Sequence, residues 1–128
     1  MTMKQITLIL FTILSISSVS ISAQETYTVK EVQAFVNDIN TNDNIQIIDV
    51  RTPEEYAQGH IDGAININFY ANSFAEEISK LNKEKPTYIY CRSGKRSARS
   101  SKEFINQGFK NIVDLKGGFI AFSRYQSR

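Results

Sequence analysis

One stretch constrains the fold of this chain more than any other: Tyr88-Ile89-Tyr90-Cys91-Arg92-Ser93-Gly94-Lys95-Arg96-Ser97. Thr87 to Tyr90 is β-branched and aromatic, as a central strand should be. Cys91, the only cysteine of the 128 residues, falls at the end of that strand. Gly94 lets the backbone double back, because it lacks the Cβ that bars other residues from such turns. From Ser97 the pattern turns helical, with Ala98, Ser101 and Ile105 on one face and Gly108 as a stop. Strand, tight loop and helix start in ten residues call for a sheet with a helix packed on it.

The same geometry has a chemical consequence. A loop closing over a helix N-terminus aims several backbone N–H groups at one spot, and the helix dipole adds positive potential there. A thiol at that spot is pushed toward the nucleophilic thiolate. Arg92, Lys95, Arg96, Arg99 and Lys102 add five cationic side chains, with no acid between residues 91 and 102 to offset them. The expected property is a site that holds an anion on or next to sulfur. Taken singly, a lone cysteine is a small buried hydrophobe and a run of cations is a solvated face. Their coincidence on one loop is what selects the catalytic reading.

Residues 1–23 resemble a secretory signal peptide rather than part of the fold. Lys4 forms the positive end, Ile6 to Ile16 an apolar run broken by Ser and Thr, and Ser20-Ile21-Ser22-Ala23 a small-residue cleavage site before Gln24. The run is shorter than the roughly 20 residues of a spanning helix, which sets cleavage above a retained anchor. The expected mature domain is then residues 24–128, exported to the periplasm and not inserted in the membrane. Its 105 residues suffice for one compact core. Its net charge of +1 argues for neither nucleic acid nor a membrane surface. A single cysteine cannot form an internal disulfide, so the thiol is either preserved or used in an oxidising compartment.

The rest of the chain alternates strands and helices. Thr26-Tyr27-Thr28 reads as a short edge strand, with Thr28 and Glu31 as a capping box for a helix carrying Val29, Val32, Phe35, Val36 and Ile39 on one face. Asn37 to Asn44 reads as the loop that ends it. Ile45 to Val50 reads as a strand buried on both faces, hence parallel. Thr52-Pro53-Glu54-Glu55 supplies an N-cap, a first-turn proline and a box partner. Gly63 to Asn66 enters a third strand, and Ser73 with Glu76 caps a helix that ends near Asn82. Ile112 to Leu115 makes the fifth strand, followed by the Gly117-Gly118 turn and a last helix from Phe119. This is an α/β chain with a mainly parallel sheet and helices on both faces. Ligands of such sheets bind beyond the carboxyl ends of strands, where Cys91 stands.

Three segments resemble the rhodanese domain family: Asp49 to Tyr56 running into Gly59-His60-Ile61-Asp62-Gly63-Ala64-Ile65-Asn66, the Cys91 to Ser97 loop, and Leu115-Lys116-Gly117-Gly118-Phe119. The resemblance spans nearly the whole mature chain. It implies a single rhodanese-like domain with five strands, and sulfurtransferase chemistry in which Cys91 takes a sulfane sulfur from a small anionic donor such as thiosulfate. A thiol or cyanide then accepts it from the Cys91 persulfide. It implies that Arg92, Ser93, Gly94, Lys95, Arg96 and Ser97 bind the donor and the persulfide, and that neither metal nor organic cofactor is needed. Asp49, Arg51 and His60 are read as structural residues near the site, and Tyr88 and Tyr90 as core or pocket wall.

Three rival readings stay open. A persulfide carrier serving one protein acceptor would look the same in sequence. A non-catalytic binding module of this family would usually lack the cysteine. A rhodanese-like phosphatase or arsenate reductase would have five residues between Cys and Arg, where this chain has four between Cys91 and Arg96. A phosphate-binding P-loop is excluded: Gly94-Lys95-Arg96-Ser97 lacks the upstream glycine and the hydroxyl residue directly after lysine.

Overall fold

The structure is a computed structural model that describes Ser18 and residues 26–128. The expected signal peptide, residues 1–23, otherwise lies outside the described residues. Five strands form one sheet in the order β1-β5-β4-β2-β3, and every neighbouring pair is parallel. The strands are β1 (Thr26–Lys30), β2 (Gln46–Asp49), β3 (Ile65–Asn66), β4 (Thr87–Tyr90) and β5 (Asn111–Leu115). The helices are α1 (Val32–Thr41), α2 (Pro53–Ala57), α3 (Phe74–Ser79), α4 (Lys95–Asn106) and α5 (Gly118–Gln126).

β4 lies at the centre with all four residues buried. Strand alternation sends its side chains to opposite layers. Ile89 and Cys91 face a core with Ile48, Phe74, Ile78, Phe104 and Ile112, beneath α3 and α4. Tyr88 and Tyr90 face the second core with Phe35, Val113 and Leu115, beneath α1 and α5. This sandwich explains why the strands carry runs of apolar residues rather than a polar alternation.

Four local expectations give way to the structure. Thr28 does not cap α1; it pairs with Val113, because β1 follows β5 in register from Thr26 to Lys30. The N-cap is Glu31, and α1 continues through Asn37 to Thr41 instead of breaking there. α4 begins at Lys95, and its buried face is Ser97, Ser100, Ser101 and Phe104 rather than Ala98, Ser101 and Ile105. Ser73 does precede α3, but its hydroxyl donates to Glu77 and caps no backbone group. The Thr52 capping box forms as its sequence predicts, with Glu55 closing it from both sides.

Candidate active site

The chain leaves β4 at Tyr90 and turns back within four residues, so Cys91 sits at the carboxyl edge of the sheet under the start of α4. Its side chain is 1% exposed. Gly94, with φ of +112°, turns the chain into α4. Two donors reach the sulfur: the Gly94 N–H at 3.0 Å and the Ser97 hydroxyl at 3.4 Å. Gly94 offers α4 no side-chain cap, and the N–H groups of Lys95, Arg96 and Ser97 have no partner among the described residues. These are the orphan donors of a helix start. Together with the helix dipole they favour negative charge on the sulfur or on an atom attached to it.

α5 fixes the loop from the other side. The N–H of Phe119 donates to Cys91 O at 2.8 Å, and that of Ile120 to Arg92 O at 3.1 Å. Gly118 permits this approach, since a Cβ there would lie 2.5 Å from both carbonyl oxygens. The loop carbonyls thus turn toward α5, away from the sulfur.

The basic side chains divide into two groups. Arg92, Ser93 and Lys95 are exposed at the rim. Arg96 is not a free cation: its guanidinium donates to both carboxylate oxygens of Glu55, at 2.6 and 2.9 Å, and lies 5.5 Å from the Tyr70 ring. Hydrogen bonds from Arg96 hold the Glu55 carboxyl down to about 2 against the effect of burial, with Thr52 assisting. The expectation that no acid offsets the loop cations is therefore corrected by a partner 41 residues away. Arg99 stacks over Phe69 at 5.3 Å.

Asp49 and Arg51 form a buried pair with Nη2 to Oδ2 at 2.7 Å. Arg51 also donates to Gly59 O at 2.7 Å and lies 4.1 Å over the Phe119 ring. It therefore ties the end of β2 to the helix that grips the Cys91 loop. Arg51, Glu55, Arg92, Phe119 and Ile120 line a cleft of about 350 Å³ beside that loop. His60 belongs elsewhere: it stacks on Tyr56 at 3.7 Å, its Nδ1 is 2.9 Å from Tyr56 O, and it lines a groove with Val36, Ile47 and Phe122 on the α1–α5 side. Among the described residues no cluster of His, Cys, Asp or Glu is placed to hold a metal ion, and no helix is long and apolar enough to cross a membrane.

Asp114 stands out among the residues the sequence reasoning passed over. It is an acid inside the apolar run of β5, buried and accepting a hydrogen bond from Tyr27 Oη at 2.7 Å. A charged residue in a strand with no room for water is the signal that would have drawn attention to it.

A parallel five-stranded α/β domain with a cysteine loop wrapped around a helix start is the class that this fold and site define. Residues 28–125 match the family described as the Rhodanese-like domain, and the chain belongs to that family. It is 34% identical over 83 residues to a protein named "Sulfurtransferase" from Allochromatium vinosum, covering 65% of this chain and 76% of that one. It is 34% identical over 73 residues to "Thiosulfate sulfurtransferase GlpE" from Pseudomonas entomophila, covering 57% of this chain and 65% of that one. The crystal structure of SSP1007 from Staphylococcus saprophyticus superposes with a TM-score of 0.66 at 32% identity, covering 74% of this chain and 92% of that one.

Proposed function

We propose that this protein is a sulfurtransferase that carries sulfane sulfur on Cys91. The observation that carries the reading is the sulfur itself: almost fully buried, at the carboxyl edge of β4, with Gly94 N–H and Ser97 Oγ donating to it. Beside it stand the unpartnered N–H groups of the first turn of α4. An electron-rich sulfur in a cradle of donors suits nucleophilic transfer. The names of the two relatives point to the same chemistry, and one of them to thiosulfate as donor.

In this scheme the Cys91 thiolate attacks the outer sulfur of thiosulfate. A new S–S bond forms to Cys91, the bond to the sulfonate sulfur breaks, and sulfite leaves with the electron pair. The outer sulfur of the resulting persulfide anion lies toward the N–H groups of Lys95, Arg96 and Ser97. A thiol or cyanide then attacks that outer sulfur, and Cys91 leaves as thiolate. Arg92 and Lys95 at the rim draw in the anionic donor. The four-residue spacing from Cys91 to Arg96 and the engagement of Arg96 by Glu55 weigh against a tetrahedral oxyanion as substrate. Residues 1–23 make export to the periplasm part of the proposal, testable by sequencing the N-terminus of the fractionated protein.

The deciding experiment is the intact mass of the purified protein before thiosulfate, after it, and after cyanide. The expected result is gain of one sulfur atom, then its loss as thiocyanate, with neither in Cys91→Ser. A folded wild-type protein that gains no sulfur while turning over a phosphate ester or arsenate would overturn the reading.

A further inference from the structure

α4 carries a row of cations that no acid among the described residues answers. Lys95, Arg99 and Lys102 are all exposed, and their spacing of four and then three residues puts them on one face of the helix. Arg92 is exposed in the loop just before them. None of these four forms an ion pair among the described residues; Arg96, between them, is the one that does. The one acid of α4, Glu103, accepts from Gln107 Nε2 at 3.0 Å. Like charges four residues apart destabilise a helix, so Lys95 and Arg99 are a cost that folding alone does not explain.

Apolar side chains flank the same row. Tyr70 is 61% exposed, with the Arg96 guanidinium 5.5 Å from its ring. The Phe69 ring lies 5.9 Å from that of Tyr70 and carries Arg99 at 5.3 Å, so this corner of the chain runs beside the cationic face of α4. Across the Cys91 loop, Ile120 is 37% exposed and is fixed there by its N–H bond to Arg92 O. Exposed aromatic and aliphatic groups among arginines are the make-up of a protein-binding surface rather than of a solvated charged face. We infer that this face docks the sulfur acceptor, and that the acceptor is an acidic protein presenting its thiol on a projecting loop or chain end. The cations select an acidic partner. The need for a thiol selects a protein over a nucleic acid, and the 1% exposure of Cys91 selects a thiol that projects.

The inference rests on the persulfide cycle proposed above and names the acceptor of its second half. The partner's thiol sulfur bonds to the outer sulfur of the Cys91 persulfide anion, and the thiol proton passes to that outer sulfur. The bond to Cys91 breaks, and Cys91 leaves with the electron pair as thiolate. The partner departs as a persulfide, and no further reagent enters. With a net charge of only +2, the chain as a whole exerts little pull on an anion, so attraction is local to this face. Such a patch acts on encounter and orientation, and salt weakens it.

The test uses two synthetic peptides, each with one central cysteine, one flanked by glutamates and the other by glutamines. Protein loaded with thiosulfate and freed of excess donor is mixed with each, and peptide mass is followed over time. At low salt the glutamate peptide should gain sulfur about tenfold faster than the glutamine peptide, and high salt should remove the difference. Arg99→Glu combined with Lys102→Glu should remove it at low salt, while transfer to uncharged dithiothreitol stays at the wild-type rate and shows the site intact. Equal rates for the two peptides in the wild type, or a preference that survives the charge reversal, overturn the inference. A second arm measures docking without chemistry: fluorescence anisotropy of the same peptides, with serine in place of cysteine, on unloaded protein. The glutamate peptide should bind more tightly, and equal binding overturns the docking face. An oligothymidylate that binds more tightly than the glutamate peptide overturns the protein partner in favour of nucleic acid. A wild type that gains no sulfur from thiosulfate overturns sulfur transfer itself, and the anisotropy then decides the docking face separately.

Discussion

Glu55 grips Arg96 with two hydrogen bonds, 2.6 and 2.9 Å long, joining the first turn of α2 to the first turn of α4. The carboxylate that does this is also the partner in the Thr52 capping box. One side chain thus completes a helix start and restrains the most favourably placed cation of the Cys91 loop. The charge an incoming anion meets is set by this pair as much as by the number of arginines and lysines in the loop.

Glu55→Gln should therefore strengthen donor binding. Removing the carboxylate releases the Arg96 charge while leaving a side chain of the same size, and KM for thiosulfate should fall roughly two- to fivefold, the scale of one partly screened charge. Arg96→Ala leaves Glu55 as an uncompensated anion beside the site, and KM should rise by a similar factor. Steady-state kinetics at low and high salt checks both, since screening should shrink each change. An unchanged KM in both variants would mean that the pair plays no part in donor attraction.

The same pair sets a pH dependence of stability. The Glu55 carboxyl is held at about 2, chiefly by its hydrogen bonds from Arg96, against an ordinary value of 4.5. A depressed acid contributes stability that is complete above its unfolded value and is lost as pH falls through its folded one. Glu55 should therefore contribute about 1–2 kcal/mol above pH 4.5 after allowance for solvent screening, and that contribution should disappear between 4.5 and 2. Urea denaturation of wild type and Glu55→Gln across this range checks it: the two stabilities should converge toward the acid end. Parallel curves would show that the ion pair has no net worth.

The elements that were legible in sequence are those with local causes. The Thr52-Pro53-Glu54-Glu55 start of α2 declares itself because cap, proline and partner lie within four residues. The strand Thr87–Tyr90 declares itself because a central strand in a parallel sheet is buried on both faces. The Thr28–Glu31 pattern was equally good locally and failed, because β5 offered β1 a ladder running through Lys30. The inner face of α4 departs from apolar weighting because its serines satisfy themselves locally: Ser97, Ser100 and Ser101 donate to the carbonyls of Gly94, Ser97 and Ala98, and so turn inward at little cost. Glu55 with Arg96, and Tyr27 with Asp114, are pairs set by topology, and no spacing along the chain announces them.

The buried Asp49–Arg51 pair should be a stability element rather than a source of catalysis. Asp49 is fully buried and Arg51 is 3% exposed. Asp49→Ala strips the carboxylate from a guanidinium that remains held by Gly59 O and Phe119. The expected cost is about 3–5 kcal/mol, that of an unpaired buried charge. Replacing Arg51 by Met together with Asp49 by Leu should recover much of it. Thermal unfolding of the single and double variants checks this. At a temperature where all are folded, loss of kcat should follow the displacement of α5 and not the charge removed.

Gly118 should be the most sensitive glycine of the site. An added Cβ would lie 2.5 Å from Cys91 O and Arg92 O, and the residue has φ of +59°. Gly63, with φ of +82° and nothing within 4 Å of the same position, provides the control. Gly63→Ala should cost only the backbone penalty, about 1–2 kcal/mol. Gly118→Ala carries that penalty and must also push α5 off the loop, breaking the bonds from Phe119 and Ile120 to the Cys91 and Arg92 carbonyls. Its cost should exceed that of Gly63→Ala by about 1–3 kcal/mol, the range for forced overpacking. Sulfur transfer should fall in Gly118→Ala even where the protein is folded, because a freed carbonyl can turn toward the sulfur and repel the charge that builds there. Denaturation midpoints compared with single-turnover loading of Cys91 separate the two effects. Equal stability of the two alanine variants would show that the loop yields to α5 without resistance.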